Sequence, residues 1–284
     1  MSLQFKHQIA DLQNAAENWS PQRTLTWAFE TFGNGIAISS AFGAEGMVVI
    51  DMASRLRKDF RLFTIDTEFL FSETYNLMDR IEEKYGIAIE KIYPAQSPEE
   101  QERSHGAALW SRNPDLCCNL RKVEPLRRKL SELSAWITSI RRDQTSTRAS
   151  ARRIEWDTNF GLVKVNPLVD WTAKQVWRYI HDQDVPYNEL HYQDYPSIGC
   201  THCTRAVRAG EDQRAGRWPG FAKTECGLHM IEPPPTVRRG RFGDPSEGGW
   251  SRRDRTSKRR LKQCSAAKTS AVAVEIGAAK TGCF

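Results

Sequence analysis

Short apolar runs alternate with stretches of helical periodicity over most of this chain, and that alternation limits its fold more than any other feature. An opening helical region covers 8–32, with apolar positions at Ile9, Leu12, Ala16 and Trp19. Gly35-Ile36-Ala37-Ile38-Ser39 then reads as a strand, Met47–Lys58 as a helix, and Phe60–Ile65 as a second strand ending in Asp66-Thr67. A helix over 72–85, a strand over 87–93, a helix over 120–132 and a strand over Ala135–Ile140 follow. Ser97-Pro98-Glu99-Glu100 is a helix start, with Pro at the first helical position and a capping-box Glu. Residues 153–166 read as a β-hairpin, and Thr172–His181 as a helix with a second capping box from Thr172 to Gln175. Such a pattern specifies an α/β fold, a mainly parallel sheet flanked by helices.

Charge divides the chain. Residues 232–284 carry 12 Lys/Arg against 5 Asp/Glu, whereas residues 1–231 carry 29 against 30. A neutral body does not suit duplex binding, which needs cations on the folded face, so no nucleic acid is expected for 1–231. Beyond Pro233-Pro234-Pro235, Leu, Ile, Val and Phe make up only 7 of the 53 residues of 232–284. That is too little apolar surface to offset the entropy of folding, and 232–284 reads as a basic, disordered tail. No run reaches the roughly 18–20 apolar residues of a membrane helix, and residues 1–7 lack a secretory signal pattern. The expected location is cytoplasmic, with no membrane partner.

Seven cysteines, at 117, 118, 200, 203, 226, 264 and 283, do not suit a disulfide framework in that setting. Cys117-Cys118 and Cys200-x-x-Cys203 lie 81 residues apart. Four thiolates fit a tetrahedral zinc or an iron–sulfur cluster; a set of buried cysteines with one redox pair is the plain alternative. Adjacent cysteines are awkward ligands for one zinc ion, while a cubane offers each a separate iron. Cys226, in Glu225-Cys226-Gly227-Leu228-His229, is surplus to that set: a nucleophile if its thiolate is accessible, otherwise inert. His229 either tunes this thiol or simply packs.

Ser39, Ser40 and Gly43 lie in a small-residue loop between a strand and a helix, a geometry suited to phosphate. Basic residues gather in the same reading: Lys122 four after the cysteine pair, Arg141, Arg142 and Arg148 beyond a strand end, and Arg214 and Arg217 ahead of Cys226. They suit a multiply anionic substrate, or a solvated basic surface.

Together these segments resemble the assimilatory sulfonucleotide reductases, in particular the iron–sulfur adenylyl-sulfate reductases. The resemblance runs from about residue 20 to 230. It is carried by Cys117-Cys118-Asn119-Leu120-Arg121-Lys122-Val123-Glu124-Pro125-Leu126, Lys164-Val165-Asn166-Pro167-Leu168 with Trp171, and Val185-Pro186-Tyr187-Asn188-Glu189-Leu190-His191. Tyr195-Pro196-Ser197-Ile198-Gly199-Cys200-Thr201-His202-Cys203-Thr204-Arg205, Gly216-Arg217-Trp218 and Glu225-Cys226-Gly227-Leu228-His229 complete it.

The resemblance implies an adenine-nucleotide α-hydrolase-like fold of PP-loop type for residues 1–231. It implies a [4Fe-4S] cluster on Cys117, Cys118, Cys200 and Cys203, and attack by Cys226 on the sulfur of adenylyl sulfate. AMP then leaves, and thioredoxin or a similar dithiol protein releases sulfite from the S-sulfocysteine. Lys122, Arg148, Arg214 and Arg217 correspond to substrate-contacting residues, and Ser39–Glu45 to the phosphate loop. The chain departs from the family in Thr138-Ser139-Ile140-Arg141, where a Thr-Gly-x-Arg run is usual, in Thr145, where Ser is usual, and in the tail. A shifted reading frame would account for the tail's composition. Cys264 and Cys283 form no CxxC, so the reductant is expected to be a separate protein. Two rival readings are a phosphoadenylyl-sulfate reductase and a non-catalytic zinc module with a nucleic-acid-binding tail.

Overall fold

The computed structural model describes residues 3–229. The tail at 232–284, its boundary with the body, Cys264 and Cys283 lie outside the described residues. The opening helical region is two helices, α1 (Leu3–Ala16) and α2 (Pro21–Phe32), because Ser20-Pro21 restarts the chain: Ser20 Oγ accepts the Arg23 amide at 3.1 Å. Strand β1 (Ile36–Ser39) leads to α3 (Ala44–Leu56), β2 (Leu62–Ile65) to α4 (Ser72–Tyr85), and β3 (Ile89–Ile92) to α5 (Pro98–His105). The short α6 (Leu109–Arg112), α7 (Pro114–Cys118) and α8 (Glu124–Leu130) precede β4 (Ala135–Ile137). The hairpin is β5 (Ile154–Asp157) and β6 (Leu162–Val165), followed by α9 (Ala173–Asp182).

Among the described residues six strands form one sheet in the order β3-β2-β1-β4-β6-β5. Every neighbouring pair is parallel except β5–β6, which is antiparallel. Asp157 closes that hairpin, its Oδ1 accepting the Asn159 and Phe160 amides while Gly161 takes a left-handed φ of 75°. Both expected capping boxes form, at Ser97–Glu100 and Thr172–Gln175.

Residues alternate across the sheet with the period of two that strands impose. Ile36 and Ile38 join the core built by α2, α3, α4 and α9, while Ala37, Phe63 and Trp136 join the other face with Leu126 and Leu130 of α8. The carboxyl ends of β1, β2 and β4 therefore open on one edge, where ligands of open α/β sheets bind.

The expected helix over 120–132 starts earlier and changes pitch. Asn113 caps α7 by accepting the Leu116 amide at 3.0 Å, with Pro114 at the first turn. From Asn119 to Val123 the chain forms a π turn, in which the Glu124 amide donates to Asn119 O. Pro125 has no amide proton to continue the α pattern, which accounts for the widening just ahead of it.

Asp51, 2% exposed, ties α3 to α4 and α9. Its carboxylate accepts from Tyr85 Oη at 3.0 Å, Tyr179 Oη at 2.7 Å and Arg55 Nε at 2.7 Å. Burial, reinforced by this carboxylate, pushes the Tyr85 and Tyr179 hydroxyls above their ordinary value. Asp51→Ala leaves two hydroxyls without their acceptor and should cost about 2–4 kcal/mol of stability, read from urea unfolding.

Candidate active site

Two short turns bring four cysteines together. Cys117 and Cys118 end α7, and Cys200 and Cys203 flank a 3-10 turn in which the Cys203 amide donates to Cys200 O at 3.0 Å. The Thr201 amide donates to Phe69 O at 2.8 Å, tying this turn to the loop after β2, and Thr67 Oγ1 lies 3.3 Å from Cys200 Sγ. All four are buried. Burial, then the neighbouring sulfurs, pushes the Cys117 thiol up to about 12 and the Cys203 thiol to about 11, and burial also raises Cys118. Burial outweighs the nearby cations, Arg121 beside Cys117 and Lys122 beside Cys118 and Cys203, which act the other way.

Rings close the surroundings. Trp110 stacks on His202 at 3.9 Å, Phe69 meets both edge-on, and Trp218 is 2% exposed. Neighbouring helical residues point about 100° apart, so Cys117 and Cys118 do not aim at one point. Among the described residues no group of three or more His, Cys, Asp or Glu converges tightly enough for a single ion. Four buried sulfurs in an apolar shell are a donor set that fits a thiolate-held metal centre.

The π turn aims two successive cations inward. Arg121, 1% exposed, donates through Nε to Thr67 O at 2.8 Å and through Nη2 to Glu68 at 2.8 Å, with its guanidinium 4.5 Å from the Phe69 ring centre. It is a structural strut between the loop after β2 and the cysteine helix. Lys122 is 9% exposed; burial alone would lower its ammonium, but Cys200, Cys226 and Cys118 outweigh burial and raise it. Lys122 is thus within electrostatic reach of both the four-sulfur group and Cys226, with which it shares a pocket wall.

Cys226 is half-buried and packs against the cluster of Cys118, Cys200, Cys203 and Trp218. It lines one pocket with Ser39, Ser40, Gly43, Lys122, Arg214 and Arg217. Ser40 Oγ accepts the Phe42 amide at 3.0 Å, shaping the loop, and Gly43 caps α3 without a side-chain acceptor, leaving the first-turn amides to meet an anion. Arg217 lies against Gly199, where a Cβ would come within 2.2 Å of its guanidinium and displace it from this position. Burial, and then Arg148 and Arg217, lower Arg214 despite the opposing pull of Glu225, the mark of cations held close together.

Arg148, expected on the substrate, lines the same pocket and pairs with Glu225. Arg141 is taken up by Glu45, and Arg142 reaches away to Ala151 O and Glu17. His229 packs: it stacks on Trp136 with ring centres 5.5 Å apart, and burial pushes its imidazole well below its ordinary value. Sequence named Thr145 as a departure and Glu225 within its motif, but did not join them to Gln144 and Thr147 as a group.

Burial would raise the Glu225 carboxyl, yet hydrogen bonds and charge from Arg148, with Arg214, outweigh it and hold the group below its usual value. The unfolded carboxyl titrates near ~4.3, so the stabilisation from this pair is complete above that pH and is lost as pH falls through the lower folded value. Glu225→Gln should be less stable at pH 7 by about 1–3 kcal/mol. Its urea midpoint should approach that of the parent protein as pH is lowered below ~4.

Residues 35–206 match the phosphoadenosine phosphosulfate reductase domain family. A protein of Halalkalibacterium halodurans named adenosine 5'-phosphosulfate reductase is 44% identical over 223 residues, covering 78% of this chain and 96% of that protein. The adenosine 5'-phosphosulfate reductase 2 of Bacillus subtilis is 47% identical over 207 residues, covering 72% and 88%. A crystal structure of phosphoadenylyl-sulfate reductase from Candida auris in a phosphate complex superposes with a TM-score of 0.63 at 36% identity, covering 72% of this chain and 98% of that one. The family match, the extended identity and the superposition agree, and the chain belongs to the phosphoadenosine phosphosulfate reductase family of oxidoreductases.

Proposed function

We propose that residues 1–231 reduce adenylyl sulfate to sulfite and AMP, with Cys226 as nucleophile, in the cytoplasmic assimilation of sulfate toward cysteine. The observation that carries this reading is the convergence of Lys122, Arg214 and Arg217 on a pocket whose wall includes a cysteine outside the four-sulfur group. A sulfo group carries negative oxygens that repel an approaching thiolate, and cations fixed along the path offset that repulsion.

The Cys226 sulfur attacks the sulfo sulfur, and the bond from that sulfur to the phosphate oxygen of AMP breaks with its electron pair going to AMP. Ser39, Ser40 and the amides after Gly43 receive the phosphate as its charge grows. Cys226 is left as an S-sulfocysteine. No second cysteine stands two or three residues from Cys226, so a thiolate of thioredoxin or a like dithiol protein attacks its sulfur and expels sulfite. The partner's second thiol resolves the mixed disulfide, and the two electrons come from that dithiol.

Cys117, Cys118, Cys200 and Cys203 would hold a [4Fe-4S] cluster, which supplies a fixed local charge and rigidity beside Lys122. Lys122 then links the sulfur-rich wall to the substrate's anionic end. Protein purified without oxygen should contain about four irons per chain. Cys226→Ser should keep that iron and lose sulfite formation, whereas Cys200→Ser should lose the iron. One zinc per chain, or loss of iron in Cys226→Ser, would overturn the assignment. Sulfite release should favour adenylyl sulfate over its 3'-phosphorylated form, and the reverse preference would make the protein a phosphoadenylyl-sulfate reductase.

A further inference from the structure

Beside the nucleophile lies a carboxylate that the transfer chemistry does not use. Glu225 is 7% exposed. Its Oε1 accepts from Arg148 Nε at 2.9 Å, Thr145 Oγ1 at 3.1 Å and Thr147 Oγ1 at 3.2 Å. Its Oε2 accepts from Arg148 Nη2 at 2.8 Å, with Arg214 Nη2 at 3.6 Å. The remaining nitrogen of Arg148, Nη1, donates to Gln144 Oε1 at 2.6 Å. All three nitrogens of this guanidinium thus have a protein partner.

An anion buried among the cations of an anion-binding pocket weakens the field that a substrate would meet, so a carboxylate here needs a compensating use. The geometry supplies one. A two-point Arg–carboxylate pair fixes direction as well as distance, and Glu225 is joined to Cys226 by one peptide bond. Arg214 Nη2 holds the preceding Thr224 O at 2.8 Å. On the other side Gly227 turns the chain at a φ of 93°, Leu228 packs against the cluster of Phe63, Trp136 and Leu126, and His229 stacks on Trp136. Cys226 is strung between two anchors, and the Glu225 pair is the polar one.

We infer that Glu225 is a positioning residue for the Cys226 thiol, and that Arg148, which lines the pocket, serves the reaction through its two-point hold on Glu225. This rests on the reading of Cys226 as the attacking sulfur. A misplacement of about 1 Å can slow a reaction on the order of a hundredfold without touching the groups that bind substrate.

The test is a single-turnover measurement on iron-loaded full-length protein, following the sulfo adduct on the Cys226 peptide by mass against adenylyl sulfate concentration. Glu225→Gln should slow adduct formation about 10–100-fold, with the half-saturating concentration within about twofold of the parent. Arg148→Gln should do the same, and the double variant should be little slower than either single one, as expected of two groups acting as a unit. The paired variant Thr145→Val with Thr147→Val keeps the guanidinium contact and should give a smaller slowing at unchanged half-saturation, which serves if the Glu225 variants fail to fold. A parent rate in Glu225→Gln, or an Arg148→Gln effect confined to half-saturation, would overturn the inference. Absence of any adduct in the parent protein would instead refute Cys226 as the nucleophile.

Discussion

Positive charge gathered at the carboxyl edge of the sheet is the condition on which the site depends. Lys122, Arg148, Arg214 and Arg217 reach one pocket from three separate segments of chain, and each would repel the others if nothing opposed them. Two kinds of group do so. Cys118, Cys200 and Cys226 favour the charged form of Lys122, and the Glu225 carboxylate pairs with Arg148 and stands 3.6 Å from Arg214. The field left over, after these internal partners are satisfied, is what an anionic nucleotide would meet.

The sheet makes that gathering possible. Parallel strands β2, β1 and β4 end together, so the phosphate loop after β1, the Asp66-Thr67 corner after β2 and the loop after β4 share one rim. The corner is held by its own bonds: Asp66 Oδ1 accepts from the Glu68 amide at 2.9 Å and Tyr75 Oη at 2.7 Å. Thr67 in turn offers its carbonyl to Arg121 and its hydroxyl to Cys200. Helix α4, through Tyr75, and the sulfur site, through Arg121 and Cys200, are therefore coupled through two residues at a strand end.

Periodicity made the strands, the hairpin and both capping boxes legible in the sequence, because each is a local pattern. The resemblance named the five cysteines and the basic residues, and the structure brings those described residues into one neighbourhood. Partner choice was not legible. Nothing in the order of residues says that Arg148 meets Glu225 across 77 positions, or that Arg141 meets Glu45 across 96. The inward turn of Arg121 was missed as well. Its one sequence signal was Pro125, which removes one helical amide donor a few residues downstream.

The π turn at Asn119–Val123 has a further consequence. On an unbroken α-helix, the side of the rod that carries Cys117 and Cys118 would set the bearing of Leu126 and Leu130, which pack against the sheet. One extra residue within the turn advances the rotational phase by about 100°, uncoupling what the first half of the rod faces from what the second half faces. The segment can thus bury leucines under the sheet while presenting thiols and an ammonium to its rim. Deleting a single residue there would force one half or the other to turn away from its partner.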